Sequence, residues 1–484
     1  MSYLSTLLIT PLISLSILSL IVDSKKLKIL GLLFSILIFI LTLTLWFMFD
    51  LSNYNFQFNE TISSNFFFNN DLKLDFGIDG VSLIFLVLST LLIPISILAN
   101  IRTIFHSIKL YFLLIYLLTF CLIGVFSSLN LLFFFFFFES IVPLMFLLIG
   151  LFGSRIEKIK AARYFFIYTI LGSVFMLLGI LQLHQSFNTL NYSDLFLVQL
   201  DVKFQKIIWI LFFLAFASKV PLIPFHIWLP LARVEASITG SVLLAGVLLK
   251  LGTYGFFRFS ISLLPDATLF FSPLIQTLSF ISLFYAGLST IRQTDFKRLI
   301  AYSSVSRMAI VSIGLFSLNV YAIMGSFVLM IAHAFSSSGL FILVTNLYNR
   351  RNSRLIKYFR GISQQMPILS LAFLMLSLAN ISFPGSMNFI GEILIFLGLF
   401  RNFKGITILI TSSVILSATY SFYLYNRIAF GSESIYTFKI NRDLTRSELL
   451  TLLPLVISCY FLGINTNFFN LLEIPILKVL FLYM

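Results

Sequence analysis

The feature that most constrains this chain is a series of apolar runs, each long enough to cross a bilayer, that recurs along its whole length. A membrane-spanning helix needs roughly 20 mainly apolar residues. Hydrophobic residues make up 59% of the 484 residues and charged residues only 10%, too few charges to cover a water-soluble protein of this size. The sequence therefore predicts an all-α polytopic membrane protein, because helices satisfy their own backbone hydrogen bonds in lipid.

Charged and polar breaks divide the sequence into about fourteen spans. Their predicted positions are 3–22, 27–48, 80–100, 110–127, 129–152, 162–184, 205–230, 236–258, 267–290, 295–317, 320–346, 366–400, 404–430 and 447–468. With both termini on the outer side, the inner loops carry about three times as many Lys and Arg residues as the outer loops. The basic residues that give the net charge of +14 thus mark the inner loops of a membrane protein, and we expect no nucleic-acid partner.

Two predicted spans contain a proline-rich interruption. Span 7 contains Pro221 and Pro224, and span 12 contains Pro384 followed by Gly385. Proline removes a backbone donor and clashes with the preceding turn, so both helices should break, although two ordinary kinks would have the same residues. The broken spans are the fourth members of two five-helix sets, spans 4–8 and spans 9–13, and an odd number of helices inverts the second set. Such paired breaks are typical of a transport site.

This pattern predicts four consecutive regions. They are N-terminal spans 1–3 over residues 1–109, a first five-helix repeat over 110–260, a second, inverted repeat over 261–430, and a C-terminal span and tail over 431–484.

Four ionisable side chains interrupt the apolar spans: Glu139, Lys219, Lys250 and Glu392. A charge at mid-bilayer costs roughly 2.5–3.5 kcal/mol on insertion scales, so such residues are usually paired, hydrated and functional. We expect Lys219, at the break of span 7, to pair with Glu139 as a protonation switch. Lys250 is predicted to be the middle proton carrier and Glu392 the exit carboxylate. Static ion pairs or helix packing are the structural alternatives.

Two histidines, His226 and His333, also fall within predicted spans. Histidine titrates near neutral pH and can pass a proton between its two ring nitrogens, which makes both residues candidate relays. A satisfied packing role is equally consistent with the sequence. The two cysteines are far apart in apolar surroundings, and no disulfide framework, iron–sulfur cluster or metal site is expected.

Six ordered motifs resemble antiporter-like subunits of respiratory complex I. They are Phe76–Ser82, Phe138–Ser140, Lys219–Pro230, Gly246–Gly255, Ile300–Val305 and Phe389–Glu392. The resemblance covers roughly residues 75–430. It implies a proton-pumping subunit in the membrane arm of an NADH:ubiquinone oxidoreductase, with the proton path on Glu139, Lys219, Lys250 and Glu392.

The resemblance also implies where this chain works and with what. NADH, FMN, iron–sulfur clusters and ubiquinone would belong to the whole complex, and this chain would bind no cofactor itself. Its partners would be other membrane-arm subunits, especially neighbouring antiporter-like subunits, and membrane lipids. The first apolar run lacks a basic segment and a cleavage site, so a mitochondrial inner-membrane location implies an organelle-encoded chain with both termini in the intermembrane space. A bacterial inner membrane is the alternative.

This sequence departs from the family at two places. Arg233 and Arg307 occupy positions where the family usually has His. Arginine keeps a positive charge but does not release its proton at ordinary pH, so neither residue is expected to relay protons.

Three other functions are compatible with a polytopic membrane protein. A subunit of a multisubunit cation/proton antiporter would share this fold and differ only in degree of likeness. A haem-carrying subunit would need paired axial histidines, and a structural scaffold would have no reason to keep Glu139, Lys219 and Lys250 at membrane depth.

Overall fold

The computed structural model describes residues 3–53, 55–62, 74–103, 107–402, 404–432 and 442–480. Two lysines that contributed to the predicted charge bias, Lys73 and Lys439, lie outside these ranges. The α-helices within them are α1 (Tyr3–Leu20), α2 (Ser24–Met48), α3 (Gly80–Asn100), α4 (Ile108–Ser127), α5 (Leu131–Phe152), α6 (Lys158–Phe187), α7 (Tyr192–Leu197), α8 (Val202–Lys219), α9 (Trp228–Glu235), α10 (Ile238–Leu243), α11 (Leu249–Gly255), α12 (Pro265–Ile291), α13 (Phe296–Leu315), α14 (Val320–Arg351), α15 (Ile362–Gln365), α16 (Pro367–Ile381), α17 (Met387–Asn402), α18 (Lys404–Ala429), α19 (Arg446–Ile464) and α20 (Asn470–Leu480).

The chain forms two compact units. The first contains Met1–Lys219, Leu251–Phe271 and Asn470–Met484, and the second contains Val220–Lys250 and Ser272–Phe469. Within the described ranges, eleven helices are long and apolar enough to cross a membrane. The predicted class, a mostly helical polytopic membrane protein, is therefore confirmed.

Both predicted helix breaks coincide with ends of helices. Helix α8 ends at Lys219, and the next helix begins at Trp228. Helix α16 ends at Ile381, where Ser382 adopts a left-handed conformation with φ +70°. Gly385, with φ +91°, then turns the chain into α17, and glycine accepts that conformation without the steric cost of a side chain.

The segment between α10 and α12 contains two wide helical turns that the sequence did not predict. Residues Leu244–Leu248 and Phe256–Ile261 form π-helical turns on either side of α11. π-Helical turns interrupt the regular hydrogen-bond ladder and occur frequently at functional sites. Lys250 lies on α11, two residues after the first of these turns.

Two elements of the first unit correct the sequence prediction. Strands β1 (Gln57–Ile62) and β2 (Leu74–Ile78) pair antiparallel in a segment predicted to be loop, so the fold is not purely α-helical. The tail that follows the last predicted span contains α20. This helix packs so closely on α3 that a Cβ atom added at Gly80 would lie 2.0 Å from the carbonyl oxygen of Leu471.

Helices α14 and α17 of the second unit also make a close backbone contact. A Cβ atom added at Gly391 would lie 2.8 Å from the backbone nitrogen of Leu329, and one added at Gly398 would lie 2.6 Å from that of Ala322. Small residues allow membrane helices to approach in this way, because packing drives their association in lipid. The contact fixes the start of α17, where Glu392 lies.

Candidate functional site

The first unit contains two of the predicted site residues, Lys219 and Glu139. Lys219 ends α8 and is 4% exposed. Its ammonium donates a hydrogen bond of 3.0 Å to the carbonyl oxygen of Phe138. It also lies 3.5 Å from the centroid of the Phe138 ring, a cation–π arrangement that stabilises a cation away from water.

Glu139 follows Phe138 on α5, whose first turn is capped by the side chain of Asn130. Both carboxylate oxygens of Glu139 are buried, and the carboxylate lies close to the hydroxyl of Ser173. Its carboxylate attracts Lys219 electrostatically, but the two side chains are not among the ion pairs within 4.0 Å that the described residues form. In this structure the ammonium of Lys219 is therefore bound to the carbonyl of Phe138, and the Glu139–Lys219 switch stays a prediction.

The second unit places Lys250 against His333. The Nζ atom of Lys250 lies 3.2 Å from Nδ1 of the His333 ring, and both side chains are buried. The same ammonium donates to the carbonyl oxygen of Ala245, which belongs to the π-helical turn preceding α11. A lysine and a histidine at hydrogen-bond distance can exchange a proton without a large movement.

Arg233, at one of the two positions that depart from the family, is fully buried near this pair. Its guanidinium donates to the hydroxyl of Ser304 and, over 3.2 Å, to the carbonyl oxygen of Leu244. Its charge acts on both Lys250 and His333. Arg233 is therefore a fixed positive charge beside the lysine–histidine pair.

Arg307, the second departure, connects the two halves of the broken span 12. It forms a buried ion pair with Glu392 on α17. It also donates over 2.9 Å to the hydroxyl of Ser382 and to the carbonyl oxygen of Asn380, at the end of α16. The break in a helix exposes carbonyl groups that lipid cannot satisfy, and the guanidinium of Arg307 satisfies one of them.

His226 lies apart from these contacts. Its ring packs edge-on against that of Tyr285, with centroids 5.4 Å apart. The buried Nδ1 atom has no hydrogen-bond partner among the described residues. The geometry thus joins His333, but not His226, to a lysine.

The sequence did not identify two further ion pairs. Glu235 and Arg354 pair at 2.9 Å in the second unit, and Asp79 and Arg258 pair at 2.7 Å in the first. Three of these residues had been assigned to loops, and no local pattern indicates which acid meets which base. Among the described residues, no group of three His, Cys, Asp or Glu side chains could hold a metal ion.

Broken helices that carry buried ionisable groups are typical of membrane transport proteins. Residues 128–417 match the family described as NADH:quinone oxidoreductase/Mrp antiporter, transmembrane. The chain is 45% identical over 463 residues to the NADH-ubiquinone oxidoreductase chain 4 of Chondrus crispus, covering 95% of this chain and 94% of that one. It is 44% identical over 471 residues to the protein of the same name from Marchantia polymorpha, covering 97% and 94%.

Two solved structures contain chains with the same fold as this protein. A chain of respiratory complex I from Thermus thermophilus superposes with a TM-score of 0.86 at 28% identity, covering 99% of both chains. A chain of an archaeal membrane-bound sulfane sulfur reductase also superposes with a TM-score of 0.86, at 20% identity and 99% coverage of both. The chain belongs to the family of NADH-ubiquinone oxidoreductase chain 4, and the family resemblance predicted from its motifs is confirmed.

Proposed function

We propose that this chain is a proton-translocating membrane-arm subunit of an NADH:ubiquinone oxidoreductase. Electron transfer from NADH through FMN and iron–sulfur clusters to ubiquinone would take place in other subunits. The observation that carries the proposal is the buried Lys250–His333 contact, because an apolar helix gains nothing from a lysine at this depth unless the lysine is used. Because the chain belongs to the family of NADH-ubiquinone oxidoreductase chain 4, we assign proton transfer to this contact.

The proposed proton path uses residues of both units. In the first unit, Glu139 and Lys219 form a switch whose closed state is a direct ion pair and whose open state has Lys219 on the carbonyl of Phe138. In the second unit, Lys250 and His333 carry the proton, and Glu392 is the terminal carboxylate. His226 is a further candidate relay. Arg233 and Arg307 contribute fixed charge, since arginine keeps its proton.

The proposed topology has fourteen spans and two inverted five-helix repeats, over 110–260 and 261–430. Three predicted spans add to the eleven apolar helices. Span 7 corresponds to α8 and carries three lysines, span 10 corresponds to α13 and carries three basic residues, and span 12 is divided between α16 and α17. Support for the repeats comes from the two helix breaks, which occur at the fourth member of each set.

The proposed location is the mitochondrial inner membrane, in an organelle-encoded, multi-pass form with both termini in the intermembrane space. The proposed partners are neighbouring antiporter-like subunits of the membrane arm and the surrounding lipids. The chain itself would bind no redox cofactor.

A subunit of a multisubunit cation/proton antiporter is the alternative, because the matching family includes both kinds of protein. Isolation in a mild detergent, mass spectrometry of the co-purifying chains and an NADH:quinone activity assay on the same native-gel band separate the two. Co-migration with flavin and iron–sulfur subunits, together with NADH oxidation, is expected. A band that contains only small antiporter subunits and lacks NADH activity would overturn the respiratory assignment.

A further inference from the structure

The guanidinium of Arg307 is surrounded by oxygen atoms at the break between α16 and α17. It contacts the carboxylate of Glu392, the hydroxyl of Ser382 at 2.9 Å and the carbonyl oxygen of Asn380. The phenol of Tyr420 lies beside it as well. Arg307 and Glu392 are only 2% and 3% exposed. The guanidinium therefore sits inside the second unit in a shell of one carboxylate, one carbonyl and two hydroxyl groups.

This shell has the chemistry of a metal-cation site. Carboxylate, carbonyl and other neutral oxygen atoms are the ligands that hard metal cations prefer. In membrane transporters, the carbonyl groups at the C-terminal end of a broken half-helix coordinate Na⁺, and the helix dipole places partial negative charge there. The carbonyl of Asn380 lies at that end of α16. Without the guanidinium, the break would present these oxygen atoms together with the uncompensated negative charge of Glu392.

We propose that Arg307 determines the cation selectivity of this site. Its guanidinium fills an oxygen-lined position that would otherwise bind Na⁺, and it leaves the proton as the cation that Glu392 exchanges. The neighbouring carbonyl at the break is filled in a similar way, because the side-chain amide of Asn388 donates to the carbonyl oxygen of Ala379 over 2.6 Å. A guanidinium is covalently attached to its helix, so it cannot be transported as a free ion can.

Electrostatics explains why Na⁺ and the guanidinium exclude each other. Arginine keeps its proton at ordinary pH, so the charge of Arg307 is permanent. Repulsion between two unit charges 4 Å apart, at the effective dielectric constant of a protein, would weaken Na⁺ binding about a thousandfold. A proton binds to a single carboxylate oxygen of Glu392, whereas Na⁺ needs several oxygen ligands at once, and the guanidinium already holds them. The consequence for transport rests on the proposed role of Glu392 in the proton path.

Binding of radioactive sodium to the purified whole complex, with choline replacing Na⁺ at constant ionic strength, tests the proposal. Arg307→Ser removes the charge and adds one more oxygen ligand. This variant should bind about one sodium ion more per complex than the parent, and sodium should raise its unfolding temperature. Arg307→Lys keeps an attached cation, and Arg307→Ser/Glu392→Gln lacks the carboxylate, so both should bind no more sodium than the parent.

Failure of Arg307→Ser to bind extra sodium would overturn the proposal, as would equal extra binding by the double variant. If Arg307→Ser does not assemble, Arg307→His provides the same test. Its sodium binding should increase with pH as the imidazole loses its proton, and no extra sodium between about pH 6 and pH 9 would equally overturn the proposal. The measurement needs no turnover of the complex. A Glu392→Gln variant that pumps protons normally would refute the proposed proton path and leave the sodium result unchanged.

Discussion

The ammonium of Lys250 and the imidazole of His333 are 83 residues apart in sequence and lie 3.2 Å apart in the second unit. The ammonium has a second partner in the carbonyl of Ala245. Because that carbonyl can hold the lysine whether or not the histidine accepts from it, the contact with His333 can form and break. This arrangement leads to the first prediction.

Replacing Lys250 with Gln should abolish proton transfer through this pair while keeping a side chain that donates a hydrogen bond. We expect coupled NADH:quinone turnover to fall by roughly 100-fold or to lose its proton pumping, as for removal of other acid–base groups. Lys203→Gln, at an exposed position on α8, is the control and should behave like the parent. Full pumping by Lys250→Gln would remove Lys250 from the proton path.

The proposed switch in the first unit can be tested by replacing either of its two residues. Lys219→Ala and Glu139→Gln should leave assembly largely intact but impair coupled turnover, because each removes one charge of the pair that must open and close. Assembly is followed by native-gel mobility and coupling by the ratio of proton pumping to NADH oxidation. Glu157→Gln, at an exposed position, is the control. Normal coupling in either switch variant would contradict the assignment.

The ion pair of Arg307 and Glu392 should matter for stability as well as for pumping. Arg307→Leu leaves Glu392 buried without its partner, which typically costs about 3–5 kcal/mol. The thermal unfolding temperature of the assembled complex should fall. The double variant Arg307→Leu/Glu392→Leu should recover much of this loss, since replacing both members of a buried pair with apolar residues is often nearly neutral.

A second variant separates the contribution of the Arg307–Glu392 ion pair to stability from that of the hydrogen bond to the Asn380 carbonyl. Arg307→Lys keeps the charge but loses the planar fork that reaches both Glu392 and Asn380. It should lie between the parent and Arg307→Leu in unfolding temperature. Equal stability of the parent and both single variants would show that the pair does not hold the broken helix together.

Gly391→Ala should disturb the position of Glu392 without changing any charge. The added Cβ atom would lie 2.8 Å from the backbone nitrogen of Leu329, and backbone cannot move aside as a flexible side chain can. Overpacking of this kind costs about 1–3 kcal/mol, so the amount of assembled complex should fall. Gly405→Ala, where nothing lies within 4 Å of the added atom, is expected to assemble normally. Normal assembly of Gly391→Ala would mean that α14 moves to make room for the added atom, and an equal loss in both variants would mean that the close contact is not the cause.

Much of the helical framework could be predicted from the sequence, because apolar runs and charged breaks act locally. The predicted spans 110–127 and 267–290 differ by only a few residues from α4 and α12. The two breaks were predicted because proline interrupts the hydrogen bonds of a helix and glycine permits the left-handed conformation of a turn.

Contacts between distant residues could not be predicted in the same way. The predicted spans place Lys250 and His333 on separate helices, and only the packing of α14 brings the two side chains together. Charge alone predicted that Glu139 pairs with Lys219, but it could not predict that the carbonyl of Phe138 accepts a hydrogen bond from the same ammonium.

The close packing of α20 on α3 has a consequence for how the first unit is made. Leu471 follows Gly80 by 391 residues, so the ribosome makes α3 long before α20, yet the backbones of the two helices meet in the folded protein. The final packing of α3 must therefore wait until α20 has been translated.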